Sequence, residues 1–394
     1  IYPDNISNDP DIPTHNLPAI GEVGSNERAI PISIEDFFDD DYSLPNPLAD
    51  NPVFREWVDK IKTITESKNS QNTERVIKKL PGKKLTTQIC AWYCPIHYFG
   101  KDWGIYIKQS CVLNTALDLA THIDTRTLTL SSTELCTQLY KASFFILYLH
   151  EHFHHKVESF GFRLLISSCK DKYRKYKHNV YRHTYGTSEC LEESMANADI
   201  YNRLDEKKYS NSLKPEIRQG VRKYLKEELF LMQPPGYREA VHYLNKEDYQ
   251  EGLFSLKSQI LEGVAKPKMS SNNWLIANNM IRALNNIDAK IYTIVPNGTN
   301  PLFSYHISPS VPTQTRNLIR ALMKYYDYLQ AKKRGKGSHI MLIRDGFKTL
   351  TIPTSNERLK DYIKEQACQA IGGYTKDRFN DLLSGKLEIR HKLL

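Results

Sequence analysis

The chain is predicted to fold as an α+β protein, a mainly helical first domain followed by a small α-β-β-α domain. Three observations carry this expectation. A capped apolar run from Ser131 reads as a long helix, further stretches keep helical periodicity to about residue 287, and beyond about residue 310 a helical face precedes two β-rich runs and another helix. At 394 residues, 40% hydrophobic and 25% charged, the composition is that of a globular protein with more than one core, which excludes disordered and fibrous classes. The longest apolar runs, such as FFILYL, fall far short of the roughly 18 to 20 residues that span a bilayer, so no membrane partner is expected.

Residues 1–50 are rich in Pro, Asn and Asp and read as an extended N-terminal arm. The first domain, drawn over 51–300, opens with a helix in VFREWVDKIKTITES and a strand around DWGIYIKQSCV, whose aromatic and β-branched residues suit a pleated surface. SSTE at 131–134 forms a capping box, with Ser131 serving the first-turn amides and Glu134 reaching back. The helix it starts is expected to reach about Ser159 and to stop at Gly161. More helices are expected over 191–204, 214–232, 236–263 and 271–287. Between the first two long helices, KYKHNVYRHTYGTSE reads as a polar, basic loop. NGTNPLFSYHISPSVPT, from Asn297, is dense in turn-formers and marks a boundary, its NGT read as a turn.

The second domain is drawn over 310–394. TQTRNLIRALMKYYDYLQAKK places Leu318, Leu322, Tyr326 and Leu329 on one helical face, and GSHIMLIRDGFKTLTIP reads as two strands joined at Asp345-Gly346. A helix in NERLKDYIKEQACQAIGG is stopped by Gly372 and Gly373, with a short final helix near TKDRFNDLL.

Seven cysteines without the dense spacing of a disulfide scaffold favour a reducing, cytoplasmic compartment. Cys90, Cys94 and His97 in CAWYCPIH match no structural zinc spacing and read as buried structural groups. No secretory leader is legible, and a start at Ile1 rather than Met leaves room for a removed upstream segment. The net charge of +9, densest toward the C-terminus, points to an acidic partner such as nucleic acid there.

The chemistry concentrates in FILYLHEHFHHKVESFGF, residues 145–162. Side chains four apart on a helix share a face, so His150 and His154 can aim at one metal ion, with Glu151 about 100° round the helix at its edge. This is the HExxH arrangement: two neutral nitrogen ligands for zinc and a carboxylate placed to take a proton from water and hand it to a leaving amine. Burying such groups at the end of an apolar run is costly unless a metal or partner satisfies them. His152 and His155 project elsewhere and read as surface or ligand-supporting groups, and Glu158 as a ligand orienter or a solvated charge. The third ligand must come from another element. A metzincin would have glycine and histidine at the positions of Val157 and Phe160, so that class is excluded.

ESMAN, Glu193 to Asn197, resembles the E-x-x-A-N signature that follows HExxH in ImmA/IrrE-like metallopeptidases, gluzincin-type enzymes that cut regulators in bacteria and phages. The resemblance covers about residues 130–205 and implies a zincin-like domain in which Glu193 is the third zinc ligand and Asn197 orients a ligand. Glu192 is the alternative ligand, and Glu189, ahead of the helix, is less favoured. Asp199 stands where that family usually has an aromatic residue. The basic segment before this helix offers His183, Tyr185 or Arg182 as donors to an oxyanion, against the plainer reading of a surface loop.

RGKGSHIMLIRDGFKTLTIP resembles the core of HicA-like toxins, small folds of the double-stranded-RNA-binding type that cleave messenger RNA. The shared features are Gly337-Ser338-His339 at a strand start and Thr351-Ile352-Pro353 at the end of the next. The resemblance implies that His339 is a catalytic histidine and that Lys332, Lys333, Arg334 and Lys336 hold phosphates. The family's usual Gly-Thr-Leu-Arg run is replaced by Lys360-Asp361-Tyr362-Ile363.

The two resemblances together imply a zinc-dependent endopeptidase that processes a specific protein partner, joined to an RNA-directed module in a bacterial toxin or defence system. An antitoxin-like partner is implied, and the 288–312 linker is a natural cleavage point. Two other readings follow from the same residues: a ribonuclease toxin with a regulatory protease-like domain, and a non-catalytic interaction protein.

Overall fold

Short runs of β-branched and aromatic residues build a four-stranded sheet from distant parts of the chain. The computed structural model describes residues 23–32, 34–38, 52–68, 90–123, 130–268, 287–297, 302, 315, 318–319, 322, 328–330, 339–344, 349–353 and 361–370. Strands β1 (Glu27–Ile32), β2 (Ala91–Cys94), β3 (Gly104–Lys108) and β4 (Ile291–Pro296) lie in the order β1-β4-β3-β2. β3 and β4 run parallel and the outer pairs antiparallel, so among the described residues β2 is an edge strand. Only β3 is legible in the sequence. β1 falls inside the segment read as an arm, and nearby Phe37 is buried, stacked on Phe144 at 3.8 Å. β4 falls inside the segment read as a linker, with Ile291, Ile294 and Val295 buried.

Helices α1 (Pro52–Lys68) and α2 (Gln109–Ala120) pack against each other, Trp57 donating its indole N–H to the Leu113 carbonyl at 2.9 Å. Cys90 and Cys111 form a disulfide between the start of β2 and the first turn of α2. Cys90, read as a buried structural group, is half-buried and has its structural role through that bond. No helix among the described residues is long and apolar enough to cross a membrane.

The central element is α3 (Ser132–Ser168), buried along most of its length. Its capping box forms as expected: the Glu134 amide donates to Ser131 Oγ, and Glu134 Oε2 accepts from the Ser131 amide at 2.9 Å. It does not stop at Gly161 but continues to a left-handed Cys169. Gly161 serves close approach: a Cβ there would lie 2.5 Å from Tyr173 Cβ on α4 (Lys172–Tyr176). The segment read as a polar loop is helical too. α4 runs into a π-helical turn, Lys177–Tyr181, and its apolar positions Tyr173, Tyr176, Val180 and Tyr181 are buried.

α5 (Leu191–Arg203) then lies against α3, close to its expected bounds. The 214–232 stretch becomes α6 (Pro215–Tyr224), a π-helical turn and Phe230–Met232. The 236–263 stretch is broken into a 3-10 segment, Arg238–Tyr243, and α7 (Lys246–Glu262), because Asn245 caps a new helix by accepting from the Asp248 amide at 2.8 Å. The helix expected over 271–287 falls almost wholly outside the described residues.

The chain divides into two compact units, Ile1–Ser304 and Tyr305–Leu394. In the second, Thr315, Leu318, Ile319 and Leu322 are helical and buried. Strands β5 (Leu329–Gln330), β6 (His339–Ile343) and β7 (Leu350–Pro353) form an antiparallel sheet in sequence order, followed by α8 (Asp361–Ala370). The order is therefore α-β-β-β-α rather than α-β-β-α. Leu329, expected on the helical face of Leu318 and Leu322, instead pairs with Ile343 across the sheet. Tyr326, Asp345-Gly346, Gly372, Gly373 and the expected final helix lie outside the described residues.

The α3–α4 contact is testable. Gly161→Ala gains about 1 kcal/mol of helix propensity but drives a Cβ into a backbone-proximal atom of Tyr173, so net destabilisation of about 1–3 kcal/mol is expected in urea unfolding. A midpoint equal to or above that of the parent protein would show that α4 yields freely.

Candidate metal centre

His150 and His154 lie one turn apart on α3, and Glu193 comes from the first turn of α5. The two Nε2 atoms are 3.3 Å apart, and Glu193 Oε2 lies 3.2 Å from His150 Nε2 and 3.4 Å from His154 Nε2. Ligands about 2.0 Å from a tetrahedral zinc ion stand about 3.3 Å from one another, so the triangle has the right size for one ion. Glu193 Oε2 is buried and accepts no hydrogen bond, leaving a lone pair aimed into the triangle. Two imidazoles and a carboxylate form a donor set suited to zinc, and His150, His154 and Glu193 can together hold a metal ion.

The atoms behind the triangle fix its tautomers. Asn197 Nδ2 donates to Gln233 Oε1 and to the Tyr237 carbonyl, which leaves Asn197 Oδ1 to accept from His150 Nδ1 at 2.8 Å. His154 Nδ1 donates to Glu192 Oε1 at 2.7 Å. With Nδ1 as the donor of each ring, the neutral imidazoles turn their Nε2 lone pairs toward the triangle. Glu192, the alternative ligand from the sequence, sits behind His154 and is held by Lys177 Nζ at 3.0 and 3.1 Å. Glu193 Oε1 accepts from the Tyr181 hydroxyl. Glu189 is exposed ahead of α5.

Glu151 is buried beside the triangle, where the charges of His150, His154 and Glu193 act on it. Burial pushes its pKa up, partly offset by the two histidines and by the backbone amide of Tyr93. The ladder explains that amide. The Lys108 amide bonds the Cys90 carbonyl, so alternation along β2 leaves Ala91 and Tyr93 with their amides on the open edge.

The remaining polar residues of the cluster serve packing. His152 bonds Arg203 and the Ile287 carbonyl, each at 3.0 Å, and His155 bonds the Tyr93 hydroxyl at 2.8 Å. Both project away from the triangle, as expected, but they are buried rather than on the surface. Glu158 neither touches the ligands nor is solvated. It accepts from the amides of Ile96 and His97, from His97 Nδ1 and from the Tyr93 hydroxyl. Cys94 is buried, its thiol pKa pushed up to about 12 mainly by desolvation, and His97 Nδ1 pairs with Glu158.

Of the donors weighed in the sequence, Arg182 and His183 are exposed on α4's continuation, whereas the Tyr185 hydroxyl meets that of Tyr237 at 3.5 Å. The Tyr237 ring stacks on His150 with centroids 5.6 Å apart. Burial raises the pKa of both phenols, and the charges of Glu193 and Glu151 add to it. Lys177, Tyr181, Gln233 and Tyr237 were not found from the sequence. A signal existed for the first two: Tyr176, Val180, Tyr181 and Thr184 keep helical spacing within the stretch read as loop, in register with Tyr173 just before it.

No protein-family model, curated protein or solved structure matches the chain.

In the metal-free protein burial pulls the His154 pKa down, but Glu193 and Glu192 outweigh it and raise it to about 10. A zinc ligand must be neutral, so below that value binding displaces a proton, and affinity rises with pH. Competition against a chelator is expected to show about one equivalent of zinc, about tenfold tighter for each unit from pH 6 to 8, and lost in His150→Ala/His154→Ala. Zinc content unchanged in that double variant, or affinity flat with pH, would contradict the assignment.

Proposed function

We propose that the chain is a zinc-dependent endopeptidase of the zincin-like, gluzincin type, joined to a HicA-like RNA-directed module, and that it processes a specific protein partner. The observation that carries the reading is the triangle of His150 Nε2, His154 Nε2 and Glu193 Oε2 with Glu151 beside it. Zinc held there would polarise a peptide carbonyl and make water acidic enough to attack at neutral pH. Glu151 is placed to take the proton of the attacking water and return it to the amine that leaves, and its raised pKa suits both transfers. Tyr237 and Tyr185 supply phenolic donors for the oxyanion that develops on the carbonyl. The open edge of β2 offers the backbone groups of Ala91 and the carbonyl of Tyr93 to an extended peptide, which is the shape a protease requires.

For the second unit, exposure of His339 at the start of β6 supports access to an RNA backbone. Lys332, Lys333, Arg334 and Lys336 lie outside the described residues. Release of this module by cleavage within 288–312 has to avoid β4, whose residues 291–294 are paired on both sides and 295–296 on one. A toxin or defence role, with an antitoxin-like partner, follows from combining the two activities. The cytoplasm is the compartment where such substrates lie.

Glu151→Gln keeps the shape and removes the base. It is expected to retain zinc while new N-termini from an unstructured peptide library, counted by mass spectrometry, fall at least about a hundredfold. Cleavage at the parent rate rules out the general-base role, and loss of zinc would make Glu151 structural. His339→Ala in the full chain is expected to abolish RNA cleavage and leave peptide cleavage intact. RNA that stays whole with the parent protein as well would reduce the second unit to a docking element.

A further inference from the structure

The π-helical turn Lys177–Tyr181 reaches the metal centre through two side chains that the proposed chemistry does not use. Glu192 and Glu193 are adjacent, each 1% exposed, and both lie against His154. Either carboxylate is chemically able to bind a metal. Each offers two acceptor oxygens and no donor, so what decides between them is which oxygens are already engaged.

Three of the four are engaged. Glu192 Oε1 accepts from His154 Nδ1 at 2.7 Å and from Lys177 Nζ at 3.0 Å, and Glu192 Oε2 accepts from the same ammonium at 3.1 Å. Glu193 Oε1 accepts from the Tyr181 hydroxyl. Among the described residues, only Glu193 Oε2 has no partner outside the triangle, and it faces both histidine Nε2 atoms. Lys177 and Tyr181 also hold each other, with Nζ 3.5 Å from the centre of the Tyr181 ring, so the two donors are fixed as one unit.

We propose that Lys177 and Tyr181 form a clamp that selects the metal ligand: Lys177 ties up Glu192 so that Glu193 binds, and Tyr181 ties up one Glu193 oxygen so that it binds through the other alone. The clamp rests on the zinc reading above. Its consequence is a three-ligand centre with a fourth tetrahedral position left open, the state in which a zinc site can take water or substrate. Lys177 and Tyr181 are positioning residues, acting on the metal only through the glutamates.

The test uses zinc and cobalt(II) binding to the full chain, with cobalt's visible absorption reporting coordination number because four-coordinate cobalt absorbs more strongly than five-coordinate. Tyr181→Phe frees Glu193 Oε1 to bind as well, so the cobalt band is expected to weaken while the variant stays folded. Lys177→Met is expected to weaken zinc binding about ten- to a hundredfold, the usual cost of disturbing a group behind a metal-bound histidine. If Lys177 acts through Glu192, adding Lys177→Met to Glu192→Gln is expected to change zinc affinity by less than about twofold. Circular dichroism of the metal-free variants separates loss of affinity from loss of fold. Losses that multiply in the double variant, or a Lys177→Met protein that binds zinc as the parent does, overturn the Lys177 half. A cobalt spectrum unchanged by Tyr181→Phe overturns the Tyr181 half. A parent protein that binds neither metal removes the zinc reading itself, and the clamp with it.

Discussion

Two neighbouring carboxylates, Glu192 and Glu193, are taken out of water on α5, and much of the first unit is arranged to satisfy them. Burying one ionised carboxylate costs several kcal/mol unless it is paired and hydrogen-bonded, and here two stand side by side. Each direction of approach supplies a partner: α3 gives His150 and His154, and the turn after α4 gives Lys177 and Tyr181. The close fit of α4 on α3 at Gly161 sets the start of the segment from which that turn extends. Below the site a second buried pair repeats the logic, with Lys156 donating to both oxygens of Asp199 at 2.8 and 2.9 Å and Tyr249 donating to the same carboxylate. The α3–α5 contact is thus held at two levels by charge, and a slip of either helix would strand buried ions. That cost fixes the geometry of the triangle more sharply than apolar packing alone can.

The part of this arrangement legible in the sequence is the part written at short range. HExxH sits at a fixed helical spacing, the Ser131 cap is local, and the α5 bounds follow from periodicity, so His150 and His154 share a face as the pattern implies, and Glu193, singled out only by the resemblance, lies with them. What escaped depends on contacts across the chain. Gly161 carries the same letter as a helix stop, and only the approach of Tyr173 makes it a packing glycine. Glu158 continues the stripe of His150 and His154, but it is drawn instead to amides and a tyrosine some sixty residues earlier, as the separations of 61 to 65 residues show. β1 and β4 are six residues long and pair across more than 250 positions; IYTIVP in β4 does carry a β-rich signal, but it lies beside the turn-formers read as a linker. In the second unit Leu329 fits the helical stripe, and its pairing with Ile343 overrides that fit.

The choice between Glu192 and Glu193 shows the same boundary. Adjacent identical residues carry identical propensities, so no pattern within the sequence separates them without a resemblance to lean on. The separation comes from Lys177, fifteen residues upstream of Glu192, whose segment reads as basic loop because lysine, arginine and histidine outnumber its apolar residues. Once the tyrosines of that segment are counted as core, the lysine among them becomes a buried charge that needs a carboxylate, and Glu192 is the one it has.

β2 is the other element whose position matters to the proposed chemistry, and it is fastened at both ends. Before it, Cys90 is bonded to Cys111 on α2. Beyond it, Glu158 of α3 gathers the amides of Ile96 and His97 and the Tyr93 hydroxyl. An open strand edge is a hazard, because its unpaired amides and carbonyls recruit any extended chain. Here the edge is four residues long, and one of its outward amides, that of Tyr93, is engaged by Glu151. The edge therefore stays short and rigid while facing the carboxylate assigned to the proton transfers. Any extended chain that paired with β2 would meet Glu151 at a register set by a covalent bond on one side and a buried carboxylate on the other.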